Sequence, residues 1–99
     1  MSDKKKILVI DDDKDIVIYL TTLMEDNGYD TVSAVDGVDG LAKVKAEKPD
    51  LILLDIMMPG LDGYEVAKRL KAEPRTKDIV IAMVSKRMRI WRWSSNGRL

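Results

Sequence analysis

Three short, continuous apolar runs along the chain are predicted to be buried strands. They are Ile7–Ile10, Leu51–Leu54 and Ile79–Val84. Unbroken apolar runs, rather than alternating ones, are typical of strands in a parallel sheet that is covered on both faces. A fourth segment, Tyr29–Ala34, alternates apolar and polar residues and is predicted to be an edge strand.

Apolar residues at helical spacing fill the intervals between these strands. The pattern predicts helices over Lys14–Asn27, Val38–Glu47 and Tyr64–Ala72, with the Tyr64 side chain facing the core. Gly28 stands where a helix-ending glycine belongs. Alternating strands and helices predict an α/β fold with a mostly parallel sheet, in which ligands bind beyond the carboxyl ends of the strands.

Acidic residues stand at these strand ends. Asp11 and Asp12 follow the first apolar run, Asp55 follows Leu51–Leu54, and Ser85 follows the last run. If the first and third strands are neighbours, the three carboxylates share one pocket, where their repulsion favours protonation of one of them or binding of a cation. Oxygen ligands of this kind suit Mg²⁺, and a carboxylate beside Mg²⁺ can act as the nucleophile in phosphoryl transfer.

Other acids near these positions have simpler expected roles. Asp13 is predicted to cap the first helix, and Asp62 to be a turn residue that supplies a side-chain cap. Asp36 and Asp39 are predicted to be solvated acids of a loop and a helix start.

Composition narrows the class of protein. The 99 residues suit one small domain, and the absence of cysteine excludes disulfides and thiolate metal sites. No apolar run is long enough for a membrane span, so a cytoplasmic protein without membrane contact is expected. The formal net charge is zero, yet residues 86–99 hold five basic residues and no acidic one.

The segments "ILVIDDDKDI", "LILLDIMMPGLDGYE" and "IAMVS" resemble, in this order and spacing, the receiver domain of bacterial two-component response regulators. The resemblance covers about Lys6 to Ser85, and its most specific part is D-x-x-M-P-G-x-D-G, Asp55 to Gly63. It implies a flavodoxin-like doubly wound sheet with strand order 2-1-3-4-5. It also implies a phosphorelay signalling module rather than an enzyme.

The same resemblance assigns roles to individual residues. Asp55 would accept a phosphoryl group from a sensor histidine kinase. Asp11, Asp12, Asp55 and the backbone carbonyl of Met57 would bind Mg²⁺, and Ser85 would be the switch hydroxyl.

The resemblance stops after Ser85, which divides the chain into an incomplete receiver domain, 1–85, and a basic tail, 86–99. The family's fifth strand, its lysine and its last helix have no counterpart, so the fourth strand is expected to be an uncovered sheet edge. Such an edge invites pairing, and we expect a homodimer or a domain-swapped oligomer. The tail is an altered chain end, a replacement packing element, or a basic patch for nucleic acid or membrane; nucleic acid is the less favoured partner.

Two functional alternatives stay open at this stage. One is an interaction-only receiver that oligomerises and cannot complete the phosphorylation switch. The other is an aspartate-nucleophile phosphatase, in which Asp11 would be the nucleophile and Asp13 the acid/base; it leaves the motif at Asp55 unexplained.

Overall fold

The computed structural model describes residues 4–85 and the backbone of residues 90–93. Strands and helices alternate through the first seven elements, and a strand follows as the eighth. Their bounds are β1 Lys6–Ile10, α1 Lys14–Asp26, β2 Asp30–Ala34, α2 Gly37–Glu47, β3 Leu51–Asp55, α3 Gly63–Ala72, β4 Val80–Val84 and β5 Ile90–Trp93. The predicted elements are confirmed, with bounds that differ by one residue.

The sheet has the order β2-β1-β3-β4-β5. The first four strands in this order are parallel, with Ile10 paired to Ala34 on one side and to Leu54 on the other. This arrangement confirms the doubly wound fold and the order 2-1-3-4. No further parallel strand lies among residues 4–85 and 90–93, in agreement with the predicted lack of the family's fifth strand.

The prediction of an uncovered fourth strand is wrong. Residues 90–93 form β5, which pairs antiparallel with β4, so that Met83 lies opposite Trp91. Only five residues separate Val84 from Ile90, and a connection this short permits antiparallel pairing but no parallel crossover. The run Ile-Trp-Arg-Trp also has the β-branched and aromatic residues that favour a strand.

Alternate side chains of the inner strands point to opposite faces of the sheet and belong to two separate hydrophobic cores. Ile7 and Val9 pack with Leu20 of α1, whereas Leu8 and Ile10 pack with residues of α2 and α3 on the other face of the sheet. These strand residues are at most 1% exposed. Burial on both faces explains why the strands are continuously apolar, and it leaves the carboxyl ends of the strands as the place where polar residues collect.

Candidate functional site at the carboxyl ends of the strands

Three carboxylates meet at the junction of β1 and β3, as the strand order requires. Asp11 and Asp12 follow β1, and Asp55 is the last residue of β3. One carboxylate oxygen from each lies within 4.8 Å of the others, and we call this group the acid cluster. Asp11 and Asp55 are 3% and 2% exposed, whereas Asp12 is exposed. The structure therefore brings together the three acids that the sequence predicted to share a pocket.

Backbone amides satisfy part of the acid cluster. Asp13 N–H donates to Oδ1 of Asp11 at 2.9 Å, and Met57 N–H donates to Oδ1 of Asp55 at 3.2 Å. The other carboxylate oxygen of Asp55, Oδ2, is buried and accepts no hydrogen bond from the residues that the structure describes. A buried carboxylate oxygen without a donor is destabilising unless a proton or a cation meets it.

Burial also raises the pKa of Asp55, to about 7, because the ionised form loses its hydration. The negative charge of Asp11 adds to this rise, and the hydrogen bond from Met57 N–H opposes it. The pKa of Asp11 is raised as well, mainly by desolvation. At neutral pH the acid cluster thus has an affinity for positive charge.

The donor set of the acid cluster fits Mg²⁺. All three side chains offer hard oxygen atoms, and Mg²⁺ is typically held by one or two carboxylates together with water and phosphate oxygens. The buried Oδ2 of Asp55 also favours a cation at this place, because no backbone or side-chain donor of the described residues reaches it. Asp12, being exposed, leaves one side of the group open to solvent.

The two remaining predicted site residues lie at the same edge of the sheet. Met57 directs its N–H at Asp55, while its side chain is 69% exposed. Ser85 directly follows β4. Because Val84 is paired with Asp55, Ser85 lies next to the carboxyl end of β3. Ile56 N–H extends this pairing by donating to the carbonyl of Val84 at 3.2 Å.

The loop between β3 and α3 folds back onto Asp55, which accounts for the spacing of its motif. Gly63 N–H donates to the carbonyl of Ile56 at 3.0 Å and closes the loop. A Cβ on Gly63 would collide with the backbone carbonyl of Asp55. Gly60 has a positive φ of 77°, a conformation that favours glycine. The motif is thus a compact turn that holds the backbone beside Asp55.

The acids predicted to be helix caps have that role. Asp13 Oδ1 accepts from the N–H groups of Asp15 and Ile16 at the start of α1, and Asp62 Oδ1 accepts from Glu65 N–H at the start of α3. Asp36 likewise caps α2. Asp39 pairs with Lys43 at 3.6 Å.

The predicted orientation of Tyr64 is wrong: its side chain lies at the surface and lines a groove beside the acid cluster. Tyr64 is the second residue of α3 and is 61% exposed. A groove of about 520 Å³ runs next to Asp12, lined by Asp12, Ile56, Met57, Met58, Pro59, Asp62 and Tyr64. A first-turn residue can point along the helix axis toward the preceding loop, and apolar spacing alone does not reveal this.

Among the described residues, no helix has both the length and the apolar character needed to cross a membrane.

Known proteins share both the sequence pattern and the fold. The family model for the response regulator receiver domain matches residues 7–91. The chain is 52% identical over 69 residues to the alkaline phosphatase synthesis transcriptional regulatory protein PhoP of Bacillus subtilis, which covers 70% of the chain and 29% of PhoP. It is 42% identical over 84 residues to protein PilG of Pseudomonas aeruginosa, which covers 85% of the chain and 62% of PilG.

Solved structures of receiver domains have the same fold. The N-terminal domain of a response regulator receiver protein from Methanoculleus marisnigri superimposes with a TM-score of 0.79 at 42% identity, over 81% of this chain and 65% of that one. The chemotaxis protein CheY4 of Vibrio cholerae gives 0.78 at 31% identity, over 82% and 68%.

The comparisons give the phosphatase alternative no support. The family match, the curated relatives and the common fold show that this chain belongs to the response regulator receiver domains, the phosphoacceptor signalling modules of two-component systems.

Proposed function

We propose that Asp55 is the phosphoacceptor of this receiver domain. Receiver domains interact with sensor histidine kinases, and a phosphohistidine of such a kinase is the proposed donor. The buried, unpaired Oδ2 of Asp55 carries the proposal, because it is an acceptor oxygen that has not been satisfied by the fold. It lies beside two further carboxylates that can hold a cation.

The reaction needs a nucleophile held in place and an electrostatic environment that tolerates an arriving anion. An oxygen of ionised Asp55 attacks phosphorus, one P–O bond forms, and the P–N bond breaks with its electron pair leaving on the imidazole. The hydrogen bond from Met57 N–H to Oδ1 fixes the carboxylate that supplies the attacking oxygen. Ionisation of Asp55 must come first, since burial favours its protonated form.

We assign Mg²⁺ to Asp11, Asp12, Asp55 and the backbone carbonyl of Met57. When bound, Mg²⁺ would offset the negative charge of the carboxylates and of the phosphoryl oxygens. Asp11 is held by Asp13 N–H through Oδ1, so that its other oxygen remains for the ion. Ser85, at the end of β4, is the proposed donor of a hydrogen bond to a phosphoryl oxygen after transfer.

Phosphorylation with a small phosphodonor tests the assignment of Asp55. Incubation with acetyl phosphate and Mg²⁺ is expected to add the mass of one phosphoryl group to the intact chain. The Asp55→Asn variant is expected to remain unlabelled, and chelation of Mg²⁺ is expected to abolish labelling of the native chain.

Asp26→Asn is a matched control, because Asp26 is an exposed acid at the far end of α1. It should be labelled like the native chain. Equal labelling of Asp55→Asn and the native chain would refute the assignment.

We also propose that the receiver proper spans residues 1–85 and that residues 86–99 are a tail, of which residues 90–93 add β5 to the same sheet. The change of strand direction supports this division, since the parallel strands end with β4 and β5 runs the other way. The absence of cysteine agrees with a cytoplasmic location, which we propose on that ground. The chain spans 29% of PhoP and 62% of PilG, so no output activity of those proteins is transferred to it.

A second candidate function is self-association without phosphotransfer. The observation that favours it is β5, a short strand at the end of the sheet that pairs, within the part of the chain that the structure describes, with β4 alone.

A further inference from the structure

The sheet has two edges, and they differ in how far their backbone groups are protected. β2 and β5 are the terminal strands, while β1, β3 and β4 have partners on both sides. An edge strand exposes N–H and C=O groups that can pair with another chain, and proteins usually block such edges with lysine, proline or bulges.

At the β2 edge a lysine occupies one of the outward backbone groups. Asp30 N–H and the Ala34 carbonyl bond toward β1, so by alternation the backbone groups of Ser33 point to the outside. Lys43 Nζ donates to that outward carbonyl of Ser33 at 2.5 Å. The ion pair of Lys43 with Asp39 holds the ammonium group in this position. A second chain would have to displace this lysine before it could pair with β2.

The outward groups of β5 follow from the pairing of β4. The carbonyl of Val84 bonds to Ile56 N–H on the β3 side, so the backbone groups of Met83 point to β5. Met83 is opposite Trp91, which places the backbone groups of Trp91 toward β4. By alternation, the N–H and C=O groups of Ile90 and Arg92 point away from the sheet.

Nothing among the described residues covers this outer edge of β5. The strand contains no lysine or proline, and its protection is limited to its short length and one charge, on Arg92.

We propose that two copies of this chain join through β5, paired antiparallel about a twofold axis at Trp91, into one continuous sheet with five strands from each copy. In this register Ile90 lies opposite Arg92 of the second copy, and all four outward groups of each strand are paired. A register centred on Arg92 would place two like charges opposite each other and would form fewer hydrogen bonds. A pairing of β5 with β2 would build an open filament, and Lys43 opposes it.

The proposal deepens the self-association candidate and is independent of phosphotransfer, because no residue of the acid cluster takes part. Failure of phosphorylation at Asp55 would leave it standing, and a monomeric chain would leave the phosphoacceptor assignment standing.

Disulfide trapping tests the register, since the chain has no cysteine of its own. Trp91→Cys puts two thiols directly opposite each other at the axis, within the separation that a disulfide bridges. Mild oxidation is expected to convert most of this variant into a covalent dimer. Arg92→Cys is the matched control, because its thiol faces Ile90 of the other copy and lies too far from its own counterpart. Equal cross-linking of the two variants would overturn the proposal.

Sedimentation of chains without cysteine provides a second test. The native chain is expected to shift from monomer to dimer as its concentration is raised about a hundredfold, without forming larger species. Arg92→Pro removes an outward N–H and is expected to be monomeric with an unchanged circular dichroism spectrum. Lys43→Ala, at the other edge, should still dimerise. A native chain that stays monomeric throughout, or a dimer lost in Lys43→Ala, would overturn the proposal.

Discussion

At the scale of single residues, Asp55 shows how a fold can hold a carboxylate in an unfavourable state. Its side chain is 2% exposed, it has one backbone donor, and Asp11 lies close enough to raise its pKa further. Buried carboxylates whose pKa is strongly raised are found mostly at functional sites. A cation bound at the proposed site would offset the charge of the Asp55 carboxylate and so favour its ionised form.

The raised pKa of Asp55 predicts how stability depends on pH. The folded state binds the proton with a pKa of about 7 and the unfolded chain with 3.8, so the stabilisation by the proton is complete below about pH 4 and is lost as pH rises toward about 7. In chelator, the free energy of unfolding of the native chain should fall over this window relative to Asp55→Asn. A shift of this size corresponds to about 4 kcal/mol. Urea unfolding at a series of pH values measures the difference.

Two controls accompany this measurement. Asp26→Asn is the control variant, because it removes an exposed acid outside the acid cluster. Mg²⁺ should stabilise the native chain above about pH 7 more than it stabilises Asp55→Asn. Parallel curves for the native chain and Asp55→Asn would show that Asp55 ionises in the folded state as it does in the unfolded one.

Residue roles tied to strand ends could be predicted from the sequence, and roles tied to the direction of a side chain could not. Asp11, Asp12 and Asp55 follow apolar runs, and parallel strands carry their ends to one edge, so their meeting follows from topology. Tyr64 was predicted to face the core because it fits the helical spacing. Its exposure depends on the path of the preceding loop, which no periodicity encodes.

At the scale of elements, the loop between β3 and α3 is held by close contact between two backbones. Gly63 is the first residue of α3 and approaches the carbonyl of Asp55 more closely than any side chain permits. The start of α3 is thereby fixed against the end of β3. The geometry around Asp55 consequently depends on a residue that carries no functional group.

Replacing Gly63 by alanine is expected to lower the free energy of unfolding by about 2–3 kcal/mol, because the new methyl group must displace backbone atoms. Labelling of Asp55 by acetyl phosphate should slow as well. Gly60→Ala is the comparison: nothing lies within 4 Å of the added methyl, and only the positive φ opposes it, at about 1 kcal/mol. If Gly60→Ala slowed labelling as much as Gly63→Ala, contact at Gly63 would not be what positions Asp55.

The elements themselves were predictable to the extent that they lie in the two-sided core. β1, β3 and β4 have unbroken apolar runs because both of their faces are covered. β5 is not predicted by helical or buried-strand periodicity, although the run Ile-Trp-Arg-Trp favours a strand and the five residues after Val84 are too few for a parallel crossover. That this run joins the sheet depends on the free backbone groups of β4, which leave no hydrophobic pattern in the chain.

At the scale of the whole molecule, the sheet combines two kinds of pairing. β1 meets β3 across a separation of 44 residues, as in the pair of Leu8 with Ile52. β4 meets β5 across only eight residues, as in the pair of Met83 with Trp91. The acid cluster depends on the first kind, because Asp11 and Asp55 belong to strands that are distant along the chain.

We expect the strands to join the sheet in a definite order during folding. Pairing of distant strands limits the rate of folding, and a two-stranded hairpin is only marginally stable before the rest of the sheet supports it. β5 should therefore join last and leave first. Trp91→Pro, which removes an N–H directed at β4, is expected to speed unfolding while leaving the refolding rate of dilute monomer within about twofold of the native value. Stopped-flow fluorescence would measure both rates, and a slowed refolding phase would show that β5 helps to build the sheet rather than completing it.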